Sequence, residues 1–216
     1  MIFNHKFIPA LKFQWLTPYY DRLISRLMPE KKFKSQLIAN ATIYENWKIL
    51  DFGIGTATLS IMAWQTQPDA DYTGIDIDEK ILQLAKQKII SKNAPINTML
   101  YNGGTLPFDD HSFDRIISSL VIHHLTDEQK IFAFQEFKRI LKPQGEVHIA
   151  DWGKADNLLM RLLFHIVQLL DGYKTTSANV DGRLPDMMLS SGFRDVQIIN
   201  YFNTLLGTIQ IFKLIK

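Results

Sequence analysis

The chain has 216 residues, 46% of them apolar and 21% charged, a balance that supports one substantial folded core and excludes a disordered chain. Its formal net charge is only +2, and the cationic stretch Glu30-Lys31-Lys32-Phe33-Lys34 is short, which argues against a large nucleic-acid footprint. With no cysteine, a disulfide framework, a thiolate metal site and a catalytic thiol are excluded.

Residues 1 to 45 stand apart. An aromatic stretch (Phe3, Phe7, Phe13, Trp15, Tyr19, Tyr20) leads to a helix striped by Tyr20, Leu23, Ile24 and Leu27, and predicts an N-terminal helical cap over the carboxyl edge of a sheet. The start of the chain lacks the charged-then-apolar layout of a secretory signal, so a cytoplasmic location is expected.

Residues 46 to 216 read as the main domain. Trp47 to Phe52 is a first strand, ending in Gly53-Ile-Gly55 and followed by a helix over Thr56 to Trp64. A second strand, Tyr72 to Ile77, leads into Glu79 to Lys92, where Ile81, Leu82, Leu84, Ala85, Lys88 and Ile89 make a helical stripe. Ile96 to Tyr101 and Phe113 to Leu120 are the third and fourth strands. Thr126 and Gln129 form a capping box for a helix over Asp127 to Leu141, stopped by Pro143-Gln-Gly145. A fifth strand covers Glu146 to Asp151.

Next comes the most lipophilic segment, Leu158 to Leu170. Its 13 residues, interrupted by Arg161, His165 and Gln168, are too few to span a bilayer, so a buried or substrate-covering helix is expected within a covering segment at about 152 to 185. Pro185 opens a short helix closed by Gly192, and Val196 to Tyr201 and Thr208 to Leu214 are two terminal strands. Strands alternating with helices predict an α/β, doubly wound, mostly parallel seven-stranded sheet.

The strongest local signal is Asp51-Phe-Gly53-Ile-Gly55, a strand running through close-set glycines into a helix, where backbone can approach a ligand at the carboxyl edge. Asp76 follows 21 residues after Gly55 at the end of the second strand, placed to accept hydrogen bonds from two ribose hydroxyls. Together they point to an adenosine-type cofactor. The dinucleotide fingerprint needs a third glycine where Thr58 stands, so nicotinamide chemistry is disfavoured.

Four blocks in order carry a resemblance: Ile49-Leu-Asp-Phe-Gly-Ile-Gly-Thr56, Gly74-Ile-Asp-Ile-Asp78, Leu106-Pro-Phe-Asp-Asp-His-Ser-Phe-Asp114 with Ser118 to Leu125, and Phe137-Lys-Arg-Ile-Leu-Lys-Pro-Gln-Gly-Glu146. Over roughly residues 45 to 152 the chain resembles the class I S-adenosylmethionine-dependent methyltransferases, in particular the ubiquinone/menaquinone-biosynthesis group. The resemblance implies S-adenosylmethionine as cofactor. It implies Gly53 and Gly55 under the methionine part, Asp51 supporting the ammonium and Asp76 on the ribose. Ile77 would pack on the adenine, Asn102 and Gly103 would border its far edge, and Ser119 and Leu120 would lie near the sulfonium. Two departures weaken the match: Ala57 replaces a third glycine, and Asn102 stands where relatives often place an aspartate.

Methyl transfer from a sulfonium needs an aligned nucleophile and a dry site, with a base only for a hydroxyl or acidic carbon acceptor. His123 and His124, just past the fourth strand, are the candidate bases, or residues that only pack that turn. As a neighbouring pair they do not make a metal site, and no metal is expected. Trp152, Tyr173, Asn179 and Arg183, with Tyr19 and Tyr20 from the N-terminal side, are candidate substrate contacts. The apolar helix and aromatic N-terminus suggest a hydrophobic small-molecule acceptor, though helices that merely cover the sheet are the simpler explanation. A nucleic-acid substrate is disfavoured, because the Asn/Asp-Pro-Pro-aromatic motif of amino-directed relatives is replaced by Ser118-Ser-Leu-Val121. A non-catalytic cofactor-binding scaffold is the rival reading. The methylated atom and the oligomeric state are open.

Overall fold

In a computed structural model of the chain, residues 28–216 are described. The predicted helix around Tyr20 to Leu27, and with it Tyr19 and Tyr20, lies outside the described residues.

The first described element, α1 (Glu30–Ala41), buries Phe33, Lys34, Leu37, Ile38 and Ala41, a stripe at helical spacing within what composition shows as a cationic run. Lys34 is ion-paired to Glu30 one turn back, so its stem can pack while its charge is matched. α1 packs along the sheet face, and the cap expected over the carboxyl edge rests on residues outside those described. Four apolar side chains on one stripe demand that much covering surface.

Alternating strands and helices then build the sheet. They are β1 (Lys48–Phe52), α2 (Thr58–Thr66), β2 (Asp71–Asp76), α3 (Glu79–Ser91), β3 (Ile96–Leu100), β4 (Phe113–Ser119), α4 (Asp127–Ile140) and β5 (Leu141–Gly153). After them come α5 (Leu158–Asp171), α6 (Tyr173–Val180), α7 (Leu184–Ser190), β6 (Asp195–Asn203) and β7 (Thr208–Ile215). The strand order is β3-β2-β1-β4-β5-β7-β6, with β7 antiparallel to both its neighbours and the other pairs parallel. The expected doubly wound, mostly parallel seven-stranded sheet is therefore present. Its order reverses between β1 and β4, and in open α/β sheets the crevice at the carboxyl ends of such a pair is where ligands bind.

Alternation along each strand feeds two cores. Ile49 and Ile117 face a cluster with Phe33, Leu37, Leu82, Ala85, Phe164 and Val167, while Leu50 and Ile116 face one with Phe134, Phe137, Leu184 and Met188. Because the central strands are covered on both sides, they read as continuous apolar runs.

Two boundaries differ from expectation. β5 begins directly after α4, and Pro143-Gln-Gly145 forms a bulge in it, since the register with β4 jumps from Phe113↔Leu141 to Arg115↔Glu146. Helix α6 was not anticipated at all. It buries Thr175, Thr176, Ala178, Asn179 and Val180, and mostly small and polar side chains leave no apolar stripe to read. The capping box of α4 forms as expected, with Gln129 N–H donating to Thr126 Oγ1 at 3.3 Å and Thr126 N–H to Gln129 Oε1 at 2.8 Å. Among the described residues no helix is long and apolar enough to cross a membrane.

Candidate functional site

Past Phe52 the chain turns into α2 through Gly53 (φ 73°), Gly55 (φ 54°) and Ala57 (φ 60°). Left-handed backbone of this kind suits glycine, so Ala57 adopts strained geometry. The amides of Gly53 and Ile54 both donate to the Ile75 carbonyl at 2.9 Å, which fastens the loop to β2. The Gly55 amide donates to Asp76 Oδ2 at 2.9 Å, and the Asp78 amide to Asp76 Oδ1 at 3.0 Å. Both carboxylate oxygens are thus aimed by backbone, and each keeps a lone pair for a ligand hydroxyl.

The space around this loop is uneven in a useful way. A Cβ built on Gly55 meets nothing within 4 Å, whereas one on Gly53 would lie 2.4 Å from Val121 Cγ2 and one on Gly74 would lie 2.1 Å from Ile54 Cδ1. Gly55 therefore opens onto a free cradle, while Gly53 and Gly74 are closely packed on. Ile77, an isoleucine left 45% exposed beside Asp76, offers an apolar face, and exposed Asn102 with Gly103 (φ 81°) follows β3 on the same edge.

Asp51 sits beneath the loop, buried, accepting from Ser60 Oγ at 2.6 Å. Burial raises its pKa to about 6, against the Ser60 hydrogen bond and the charge of Lys34, with Asp76 adding to the rise. A buried carboxylate of this kind is completed by a cation. Ser60 and Gly74 were not anticipated as parts of the site. The serine lies nine residues beyond Asp51, on the inward side of the first turns of α2, a signal too common to use without the fold.

Beyond β4, Leu120 takes φ 59° and the chain enters a short 3₁₀ turn, Ile122–His124. Ser119 Oγ is buried without a protein partner. Asp151, buried at the end of β5, gathers this turn: its Oδ2 accepts from the amides of Val121 at 3.0 Å and Ile122 at 2.7 Å. Its Oδ1 accepts from His123 Nδ1 at 2.8 Å, the Trp152 amide at 2.7 Å and Asn179 Nδ2 at 3.2 Å.

That network corrects several expectations. His123 is 3% exposed, with Nδ1 on Asp151 and Nε2 facing Asp171 at 3.7 Å, so it is held between two carboxylates. Burial opposes its protonation, but Asp151 and Asp171 outweigh it and raise its pKa. Asn179 is buried, with its amide nitrogen donating to Asp151 and to the Trp152 carbonyl and its Oδ1 left without a protein partner. Trp152 is buried edge-on against Phe164 at 5.2 Å, and exposed Arg183 is ion-paired with Asp127 at 3.0 Å. Tyr173 remains accessible, 47% exposed with its hydroxyl 3.5 Å from His165 Nδ1. His124 also remains exposed, its ring 4.0 Å from that of His123. Among the described residues no cluster could hold a metal ion.

The residues fit S-adenosylmethionine. An open cradle over Gly55, a backbone-aimed carboxylate at Asp76, an exposed apolar side chain at Ile77 and a buried carboxylate at Asp51 match its methionine, ribose, adenine and ammonium.

Comparison with known proteins agrees. The methyltransferase domain family matches residues 49–145. A demethylmenaquinone methyltransferase of Lactobacillus johnsonii is 28% identical over 92% of this chain and 89% of its own length. A ubiquinone/menaquinone biosynthesis C-methyltransferase of Geotalea daltonii is 27% identical over 71% of this chain and 66% of its own. Among solved structures, a SAM-dependent methyltransferase of Aquifex aeolicus superposes with a TM-score of 0.64 at 15% identity, covering 91% of this chain and 98% of that one, a likeness of fold. Strand order, glycine loop and relatives agree on an S-adenosylmethionine-dependent methyltransferase, similar to the class I group.

Proposed function

We propose that this enzyme methylates a ring carbon of a quinol-type acceptor bearing an apolar side chain. The observation that carries the reading is similarity along 92% of the chain to a demethylmenaquinone methyltransferase, joined by a relative named as a C-methyltransferase. The exposed aliphatic stripe Leu158, Leu162, Ile166 and Leu169 on α5, in the covering segment, supports an apolar acceptor.

When bound, the cofactor supplies an electrophilic methyl group on a sulfonium. Asp76 and the Gly53 to Gly55 loop would hold it, Ile77 would pack its base, Asn102 and Gly103 would border it, and Asp51 would balance its ammonium. Ser119 and Leu120 would form the wall at the methyl. Transfer to an electron-rich aromatic carbon would form the new carbon–carbon bond as the methyl–sulfur bond breaks, leaving the neutral thioether, and the acceptor must then shed one proton. The proposed group to take it is His124, exposed beside the turn.

The test is incubation with methyl-labelled S-adenosylmethionine and a short-chain demethylmenaquinone kept reduced. The expected product carries one added methyl on carbon by mass spectrometry, is absent with Asp76→Ala, and forms 10- to 100-fold more slowly with His124→Ala, in line with about 10²-fold for a general base. No product from protein that binds S-adenosylhomocysteine would set the quinol reading aside while leaving the cofactor site standing.

A further inference from the structure

We propose that Asp151 is a positioning residue for methyl transfer, seating the turn after β4 on the cofactor glycines and so setting the pocket wall at the transferred methyl. The proposal rests on the reading of Gly53, Ser119 and Leu120 as the methionine side of the cofactor site.

A buried carboxylate with two oxygens ordinarily meets one cation. Asp151 instead takes five donors from three elements: the Val121 and Ile122 amides, its own neighbour's amide at Trp152, His123 Nδ1 and Asn179 Nδ2. Two of these are consecutive amides of the turn, so the carboxylate fixes the turn's backbone and not merely a side chain.

The turn needs such a hold. Leu120 at φ 59° is a bulky residue in the left-handed region, a conformation that persists only where its surroundings over-determine it. Its amide donates to the Ala150 carbonyl at 2.8 Å, and the next two amides are those bound by Asp151. The strained residue is therefore fixed on both sides by the end of β5.

What the turn then does is set by Val121. Its methyls lie so close over Gly53 that a Cβ there would come to 2.4 Å, so the position of the turn decides where the glycine loop meets its neighbour. Ser119 Oγ, buried and unpartnered, lies at the β4 end of the same turn. The covering helices take their register from the same carboxylate: α6 through Asn179, and the last residue of α5 through His123 and Asp171. A single side chain thus ties cofactor floor, methyl wall and covering helices together. It touches no reacting atom, which separates it from a catalytic residue.

A structural role alone would weaken all cofactor analogues alike, whereas a role at the methyl wall should be felt by ligands that fill the methyl position. The test measures dissociation constants of the full chain for S-adenosylhomocysteine, which lacks that methyl, and for sinefungin, which carries an amine there. In Asp151→Asn, sinefungin is expected to weaken at least tenfold while S-adenosylhomocysteine stays within threefold. Val121→Ala, which trims the contact on Gly53 and leaves the carboxylate intact, should reproduce the selective loss, and it decides the matter if Asp151→Asn does not fold. Hydrogen exchange should show Val121 and Ile122 losing protection in Asp151→Asn. Equal weakening of both ligands, or of neither, overturns the proposal. No acceptor is used, so the result does not depend on the quinol reading.

Discussion

Asp51 is a carboxylate that the fold buries at a cost, and on the proposed reading the ammonium of the cofactor would offset that cost. Its folded pKa of about 6 lies above its ordinary value of 3.8, so its contribution to folding is fully present below pH 3.8 and is lost as pH rises through about 6. At about 1.4 kcal/mol per unit, the loss by pH 7.5 approaches 3 kcal/mol. Asp51→Asn should therefore raise the melting temperature of the ligand-free chain at pH 7.5 by roughly 6 to 12 °C and have little effect near pH 4. The same substitution should weaken S-adenosylhomocysteine binding at least tenfold at pH 7.5, because no charge is left for the ammonium. Thermal unfolding across that pH range checks both halves, and a variant that gains stability yet binds as tightly as the native chain would remove Asp51 from the cofactor site. His123 and His124 show the limit of reading single residues. The same side chain two positions running becomes a buried strut in one case and an exposed group in the other, and only the placement of Asp151 and Asp171 separates them.

Among elements, α4 anchors the loop between β3 and β4. Arg139 donates to Glu136 at 2.8 and 2.9 Å, to the Leu106 carbonyl at 3.0 Å and to the Phe108 carbonyl at 2.8 Å, while Glu136 accepts from the Leu106 amide at 2.7 Å. Arg139→Ala leaves the largely buried Glu136 without its cation, a loss of about 2 kcal/mol for a hydrogen-bonded charged group. The melting temperature should fall by roughly 4 to 8 °C with S-adenosylhomocysteine affinity changed less than threefold, since Arg139 holds Leu106 and Phe108 and not the Asn102–Gly103 stretch of that loop. Gly74 in β2 acts more directly on the site. A Cβ there must displace Ile54, the residue between the two cofactor glycines, so Gly74→Ala should cost 1–3 kcal/mol in overpacking and also weaken cofactor binding. Calorimetric titration beside thermal unfolding distinguishes the two variants, because only the second should lose both.

For the whole molecule, the switch point between β1 and β4 brings residues from 51 to 151 to one edge of the sheet. S-adenosylhomocysteine at a hundred times its dissociation constant should add about 2.7 kcal/mol, or roughly 5 to 10 °C. NAD should add nothing, and Asp76→Ala should abolish the shift. A shift with NAD would mean the cradle over Gly55 accepts a pyrophosphate after all. The central strands, the glycine loop and the acidic residue at the end of β2 were legible in the sequence because each depends on neighbours in the chain. Strand alternation, a strand-glycine-helix junction and an acid 21 residues on are all local patterns. The long β5, the bulge at Pro143 to Gly145 and the helix α6 were not, because they are set by register with β4 and by packing of small polar residues on Asp151. Likewise, the sequence alone determines the cofactor class, through residues whose spacing is fixed by the backbone between them. Only the tertiary structure decides which candidates are free to meet an acceptor, because burial and pairing of His123, Asn179, Trp152 and Arg183 arise from contacts between segments far apart in the chain.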